Sequence, residues 1–447
     1  MKPLVKNNIR SSRHFFKKDI NTQKEQNLQL FIEEYNRVLQ IMIDYIWENG
    51  VSWNVVDKKT GKKTTKICFP KHGYYDIASY FDYKLIKVDT PLSARALSSM
   101  TSQTMGIISS SIKKHSKRLY QLEQLKKDSN TNSDNIIRLE NKIKKNLPQK
   151  PEVKNIAIEL SSKCATLIKT KDGEFNYFLK LQSLGKKYGQ IYIPIRLHRH
   201  SNKLKTKGQL LGSFLINNDY LDFRWKIDFP EKKKNGSIVG GDTGKNTILT
   251  LSNEKTTDQT KDKHGHNLVS IINKLSRKKK GSKAFKKAQD HRTNFINWSI
   301  KQLNLNDIKE IRLEKVKNVF YKNSYSRKMS HWTNTEIEKA IEKACDENGV
   351  HLTYKDSFYA SQLCFFCGLV RKANRKGKLY KCNGCGYQAD ADLNSARNHT
   401  IDLPKIPLAL RHLKLNRKGF YWKPYGLFNL DGSVLRVPDT SKDLSMS

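Results

Sequence analysis

The residues best able to do chemistry stand in the last part of the chain. Cys364-x-x-Cys367 and Cys382-x-x-Cys385 form two pairs separated by 14 residues. Two such pairs let four thiolates close around one zinc ion, each pair turning tightly about it. The spacing is just short of the usual two-pair range, and the segment between them is basic and reads as a loop. A redox role is the weaker reading, because neighbouring pairs bind metal first. Cys68, Cys164 and Cys345 are isolated, and Cys345 reads as core. Carboxylates form the second group. Asp242 ends the apolar stretch Ser237–Asp242, and Glu314 ends Ile311-Arg312-Leu313-Glu314. Asp390 and Asp392 both lie in a turn that opens a helix. Taken singly each is ordinary, since Asp begins turns and caps helices. A convergent trio would hold two divalent ions, which activate a water and stabilise the leaving oxygen of a phosphodiester. Carboxylate oxygens suit Mg²⁺. A P-loop is excluded: Gly244-Lys245 fit, but Val239 replaces its first Gly and Asn246 its Ser/Thr.

Strands and helices must bring these residues together. After the polar linker Glu231–Gly236, the pattern alternates as in α/β proteins. Ser237–Asp242 and Asn246–Ser252 read as a hairpin, Ile308–Glu314 as a strand, Asn334–Asn348 as a helix and His351–Lys355 as a strand. Thr333 and Glu336 make a capping box for that helix, and Gly349 ends it. The earlier half has another character. Asn21 to Gly50 reads as one amphipathic helix, capped by Asn21. Residues 51–75 form a strand-and-loop excursion with a basic turn at Lys58–Lys63, and Pro91 to Pro148 reads as a helical hairpin around the loop Asp128–Asn135. Between 152 and 230, short β-rich stretches (Asn155–Leu160, Phe175–Gln182, Ile191–Leu197, Leu210–Ile216, Leu221–Asp228) suggest a small antiparallel sheet or barrel. Pro194 cannot donate to a ladder and so places its strand at an edge.

Charge sets the partner class. The chain carries 84 Lys+Arg against 42 Asp+Glu, a net charge of +42. Self-repulsion on that scale opposes compactness unless a polyanion neutralises it, so nucleic acid is the expected partner. The densest block holds Lys274, Arg277, Lys278, Lys279, Lys280, Lys283, Lys286, Lys287 and Arg292 against the single acid Asp290, and reads as a basic helix along a nucleic-acid backbone. No apolar run approaches the ~20 residues of a membrane span, and the basic N-terminus lacks the apolar stretch of a secretory signal. Seven cysteines do not make a disulfide scaffold. Aromatic residues make up 10% of the chain, which excludes a disordered basic tail.

From about Ser237 to Asn398 the sequence resembles the RNA-guided nucleases of the TnpB and miniature type V CRISPR group (type V-F-like). Gly241-Asp242-x-Gly244 is similar to that family's first motif and Ile311–Glu314 to its second. Tyr359-Ala360-Ser361-Gln362-x-Cys364-x-x-Cys367-Gly368, Cys382-x-x-Cys385-Gly386 and Asp392-x-Asn394-x-Ala396-x-Asn398 look like its zinc ribbon running into its third motif. Trp332 and the basic block 274–292 fit as well. Two positions depart: Thr243 replaces an apolar residue and Ser395 an Ala, and neither removes an acid. The resemblance implies that Asp242, Glu314 and Asp392, rather than Asp390, are the Mg²⁺-binding catalytic residues. It implies that Arg375 reaches the active site, and that the cysteines hold a structural zinc.

The implied fold is α+β and multidomain: a helical recognition part and a β-barrel wedge, then an RNase H-like (RuvC) α/β domain with an inserted four-cysteine zinc ribbon. The expected boundaries are an N-terminal wedge segment at 1–20, the helical domain at 21–151 and the wedge at 152–234. The nuclease domain follows at 235–362 and 388–403 around the ribbon at 363–387. A tail at 404–447 remains, whose Phe420, Tyr421, Trp422, Tyr425 and Phe428 either stack on bases or dock on the body. The implied function is an RNA-guided DNA endonuclease with two Mg²⁺ ions, guide RNA and target DNA as partners, acting in a prokaryotic or phage-encoded cytoplasmic setting. Members of the CRISPR branch work as asymmetric homodimers on one guide, whereas the transposon-encoded TnpB type acts as a monomer; the elaborated N-terminal half points to the former. The alternatives are a binding-only regulator of the same fold and a guide-independent basic nuclease or RNA-processing factor.

Overall fold

In the computed structural model, β1 (Ile9–Phe15) is followed by α1 (Thr22–Asn49), which begins and ends where its capping residues require. The Asn21 side chain accepts the Gln23 N–H at 2.9 Å, and Gly50 closes the C-terminus. The stripe of Leu28, Phe31, Tyr35, Val38, Leu39, Met42 and Ile46 is fully buried, as its spacing demands. The structure describes residues 8–56, 63–72, 74–75, 81–127, 133–171, 173–244, 247–257, 260–314, 334–355, 358–406, 410 and 414–435. Most of the basic turn Lys58–Lys63, the loop at 128–132, Lys245, Asn246, Trp332 and the Thr333 half of the capping box lie outside them. The described chain forms two compact units, Met1–Asp228 and Phe229–Ser447.

In the first unit α1 leads into an antiparallel sheet of β2 (Val51–Val56), β3 (Lys63–Phe69) and β4 (Tyr74–Tyr75). Helices α2 (Ala94–Lys127) and α3 (Ser133–Lys145) follow, packed on each other. The β-rich part comprises β5 (Ile158–Leu160), β6 (Ala165–Lys169), β7 (Tyr177–Leu181), β8 (Ile191–Ile195), the short helix α4 (Arg199–Lys205), β9 (Gly208–Ile216) and β10 (Tyr220–Ile227). These strands do not close the expected barrel. They make two open antiparallel sheets, β1-β10-β9-β5 and β6-β7-β8. The physical reason lies at β5. Its outward edge is already satisfied by helix side chains: Gln103 of α2 donates to Ala157 O at 2.8 Å and accepts from Glu159 N at 2.9 Å, while Tyr35 of α1 donates to Glu159 O. A strand whose edge is taken by helices has nothing left to pair. β8 is the outer strand of the second sheet, as Pro194 requires.

The second unit is built on a four-stranded sheet. β11 (Ser237–Asp242) pairs antiparallel with β12 (Thr250–Leu251) and parallel with β13 (Ile308–Glu314), and β13 pairs parallel with β14 (His351–Lys355). The parallel pairs need crossovers. α5 (Leu268–Ser276) and α6 (Lys283–Gln302) supply the first, and α7 (Asn334–Glu347) lies in the second. Val239, Leu251, Ile272, Phe295, Ile311, Leu313, Ile341 and Cys345 share one buried core between sheet and helices. The basic segment is therefore two helices, not one. α5 ends at Ser276, and α6 starts afresh with Ser282 capping the Phe285 N–H at 3.1 Å. Arg292 is also misplaced in the expected basic face. It shares the α6 stripe of Phe285, Ala288 and Phe295 and is buried, whereas Lys274, Arg277, Lys279, Lys280, Lys283, Lys286 and Lys287 are exposed and Lys278 half-buried.

The rest of the unit is a small cysteine-bearing module and its continuation. β15 (Leu369–Val370), β16 (Arg375–Lys376), β17 (Leu379–Lys381) and β18 (Gln388–Asp390) precede α8 (Ala391–Asn398), and β19 (Phe420–Lys423) and β20 (Gly426–Phe428) follow it. The spacer between the cysteine pairs, expected as a loop, is a hairpin of β16 and β17 that pairs on to β18. The tail docks: Phe420 and Trp422 are buried with Leu363 and Val370, and β19 pairs with β15, while Tyr425 stays exposed.

Candidate active site

Asp242 and Glu314 leave the sheet side by side. The register pairs Gly241 with Leu313 on parallel strands, so the next residue of each projects past the same carboxyl edge. That edge is where ligands collect on open α/β sheets. α8 brings the third acid. Asp390 is the N-cap, accepting from Asp392 N at 2.9 Å and Leu393 N at 3.1 Å, so its carboxylate is committed to the helix end. Asp392, in the first turn, instead faces a cavity of about 460 Å³ whose lining includes Asp242, Glu314, Ser361, Arg375 and Lys378. The structure thus brings all three expected acids, and Arg375, to one place.

α8 reaches this position because its residues allow a close approach. Ala396 O lies so near β11 that a Cβ on Gly240 would stand 1.8 Å from it. On the neighbouring face Asn394 donates to Leu363 O at 2.8 Å and accepts from Phe365 N at 3.2 Å, and Asn398 donates to Ala360 O and Leu363 O. The two Asn residues, one turn apart, tie the helix to the approach of the first cysteine pair. Gly240→Ala is therefore expected to lose about 3 kcal/mol or more, measured by urea unfolding of the full chain, because backbone rather than a flexible side chain must move. A near-neutral result would contradict the close packing.

Ser395, one of the two departures from the family pattern, donates to Asp242 Oδ1 at 3.0 Å from a fully buried position. Burial first, then the charges of Glu314 and Asp392, push the Asp242 carboxyl up to about 8. An acid raised this far from its ordinary 3.8 binds its proton more tightly folded than unfolded, so folding loses stability as pH rises between those values. Asp242→Asn keeps the shape without the charge. In cation-free protein it is expected to change the melting midpoint little near pH 4 and to raise it progressively toward pH 8, by about 2–4 kcal/mol of stability. Melting curves across that range check the trend, and a pH-independent difference would contradict it.

Asp392 is held by two cations, one on each oxygen. Arg375 Nη2 donates to Oδ1 at 3.0 Å and Lys378 Nζ lies 2.9 Å from Oδ2, while also donating to Thr247 Oγ1 at 2.8 Å. Both basic residues ride on the β16–β17 hairpin, and Lys378 O accepts Ala391 N at 2.7 Å, which fixes the hairpin to the start of α8. Sequence reasoning did not single out Lys378. It is one of several Lys and Arg residues in the spacer, and only the turn geometry separates it from the others. His399, also missed, is buried at the end of α8 with Nε2 4.0 Å from Glu314 Oε2.

The four cysteines gather as their spacing requires. Cys364 Sγ is 3.7 Å from Cys385 Sγ and Cys367 Sγ 3.6 Å from Cys382 Sγ, and all four lie within 4.8 Å of one another. Tetrahedral zinc with Zn–S bonds of about 2.3 Å sets sulfurs about 3.8 Å apart, so the quartet fits that ion. Each pair turns through a glycine in the left-handed region. Gly368 and Gly386, at φ 79° and 75°, donate to Cys364 O and Cys382 O, a backbone that a side chain would strain. Burial pushes the Cys364 thiol up to about 11 and that of Cys367 higher, so a cation is what would hold them as thiolates.

Comparison with known proteins points the same way. Residues 335–399 match the family model described as Cas12f1-like, TNB domain. The CRISPR-associated endodeoxyribonuclease Cas12f1 of Sulfoacidibacillus thermotolerans is 39% identical over 82 residues, 18% of this chain and 19% of that protein. A putative RNA-guided DNA endonuclease of Streptomyces pristinaespiralis is 31% identical over 178 residues, 36% of this chain and 44% of that protein. The chain thus matches about a fifth and less than half of the lengths of these curated relatives. Among solved structures, the mini-RNA-guided endonuclease CRISPR-Cas_phi3 aligns over 89% of this chain and 93% of its own, at 9% identity and a TM-score of 0.49. A Cas12f1–sgRNA–target DNA complex aligns over 88% of this chain and 98% of its own, at 13% identity and a TM-score of 0.43. By the family model and the two curated relatives, the chain is similar to the miniature type V and TnpB-like nucleases, with the family-model match falling on the segment that carries the cysteines and the third acid.

Proposed function

We propose that the chain is an RNA-guided DNA endonuclease, with residues 235–362 and 388–403 forming an RNase H-like (RuvC) domain and residues 363–387, which carry the cysteine quartet, its zinc ribbon. The observation that carries this reading is the convergence of Asp242, Glu314 and Asp392 on one cavity from two neighbouring strand ends and a helix start. The sheet order β12-β11-β13-β14, with one antiparallel and two parallel pairings, supports it. So do the two curated relatives, each named as a nuclease acting on DNA.

The three carboxylates would hold two Mg²⁺ ions. When bound, such ions activate a water and stabilise the leaving oxygen of a phosphodiester. The protein's own part is positional. Ser395 fixes the Asp242 carboxylate, and Arg375 and Lys378 orient Asp392 through separate oxygens. Both cations also line the cavity, where they would balance the charge of an entering phosphate. The exposed lysines of α5 and α6 and the net charge of +42 suit a guide RNA held through its phosphates, with specificity for target DNA left to base pairing. Cytoplasmic action accords with this partner set, and no described helix is long and apolar enough to cross a membrane. An asymmetric homodimer on one guide is the assembly this reading favours.

The test is to purify the full chain from cells carrying its native locus, sequence the RNA that co-purifies and assay Mg²⁺-dependent cutting of matched and mismatched plasmids. One abundant structured RNA with a variable end, and cutting of the matched plasmid only, are expected. Heterogeneous RNA with indiscriminate cutting would overturn guidance in favour of a basic nuclease. A matched plasmid bound but never cut would leave a binding-only regulator.

A further inference from the structure

His399 follows directly after α8, seven positions beyond Asp392. Its ring is 2% exposed, and its Nε2 has no hydrogen-bond partner among the described residues. A buried polar atom left unpaired costs about 1–3 kcal/mol, and a water or an ion is one of the partners that can relieve it. This one is aimed at the acids. Nε2 is 4.0 Å from Glu314 Oε2, and one ligand atom each of Asp242, Glu314 and His399 lie within 4.8 Å of one another. Its Cβ is seated against β11, where a Cβ on Gly240 would stand 3.0 Å from it, and the residue also lines a second cavity with Tyr354, Phe358 and Trp422.

Two ligand atoms bonded to one divalent cation at about 2.0–2.2 Å lie about 3 Å apart when adjacent and a little over 4 Å apart when opposite. The Nε2-to-carboxylate spacing is within that reach, whereas a direct hydrogen bond needs about 3 Å. We propose that His399 Nε2 is a nitrogen ligand to a divalent cation held by Asp242 and Glu314, which makes these three residues a mixed carboxylate–imidazole site. The inference rests on the reading of the acids as a cation site given above. It adds a ligand and a consequence for selectivity. Carboxylates alone suit Mg²⁺, while an imidazole favours ions further along the first transition series. Mn²⁺ and Co²⁺ should therefore bind more tightly than Mg²⁺, and His399 should supply the difference.

The experiment is Mn²⁺ titration of the full chain with pulsed electron paramagnetic resonance, in wild type, His399→Gln and Asp242→Asn. Wild type is expected to show nitrogen modulation from a coordinated imidazole, changed by ¹⁵N-histidine labelling and absent in Asp242→Asn. His399→Gln should retain the cation-free melting point, lose the modulation and bind Mn²⁺ about tenfold or more weakly. If Mn²⁺ binds in an Asp242-dependent way without nitrogen modulation, the inference fails and the acid site stands. Should no Mn²⁺ binding depend on Asp242, both fail. The labelling comparison needs no His399 variant, so the inference remains testable even if His399→Gln does not fold.

Discussion

Alanine at Asp242, Glu314 or Asp392 is expected to lower DNA cleavage by about 10³-fold or more, with guide RNA and target binding changed by no more than about threefold. The size of the effect follows from the geometry. The three acids line one cavity from three different elements, so none can substitute for another. Removing one takes a formal charge and an oxygen ligand from a site whose chemistry depends on both. Binding should persist because the exposed lysines of α5 and α6 are separate residues that the substitutions leave in place. Asp242→Asn sharpens the experiment. It should abolish cleavage while raising cation-free stability at pH 8, a combination that unfolding cannot produce. Single-turnover cleavage beside an RNA-binding titration measures the contrast. Full cleavage by Asp392→Ala would sink the assignment, since only the N-cap Asp390 would then remain near that helix start.

The second large effect concerns the cysteines. Cys382→Ser, or removal of metal by a strong chelator, is expected to abolish zinc at one ion per chain, lower the melting midpoint sharply and reduce cleavage nearly as far as Asp392→Ala. Structural zinc in small modules supplies on the order of 10 kcal/mol, which is folding free energy in the absence of a preformed core. The core here is small: Cys364, Leu369, Tyr380, Cys382 and Ala391 form its buried part, and two of those five are themselves proposed ligands. Loss of the ion would release the turns at Gly368 and Gly386 and with them the β16–β17 hairpin. That hairpin carries Arg375 and Lys378 onto Asp392 and holds the start of α8 through Lys378 O. A zinc ion held by the quartet would therefore be coupled to the acid cavity mechanically, without a shared ligand. Elemental analysis, melting and cleavage on one preparation test this, and a zinc-free protein that still cuts at full rate would break the link.

Where local rules dominate, the sequence was legible. Asn21 and Gly50 bound α1 because capping is a property of one or two residues. β13 and β14 run over the expected residues because their apolar patterns are short and bounded by turns. Pro194 lies on an outer strand because a missing N–H excludes it elsewhere. Where two segments compete for one edge, the sequence was silent. The barrel fails to close because Gln103, more than 50 positions before β5, takes that strand's free N–H. Nothing in residues 152–230 encodes the competition. Arg292 was assigned to the basic face by composition, yet its spacing from Phe285 and Ala288 sets it inside.

The sequence by itself determined the chemistry available: four thiols in two turns, three acids at element ends and a charge excess that calls for a polyanion. Those follow from residue type and local spacing, which need no tertiary contact. The resemblance already preferred Asp392 to Asp390, and local capping by Asp390 agrees with it; that Asp392 lines one cavity with Asp242 and Glu314 was decided by the tertiary structure. It alone brought Lys378 to Asp392 across a hairpin, and His399 to Glu314 across a strand and a helix more than 80 positions apart in sequence. These are relations between elements, set by the parallel register of β11 and β13 and by the close seat of α8 on Gly240. A linear pattern carries the residues that permit such an approach; which atoms then meet is settled by packing.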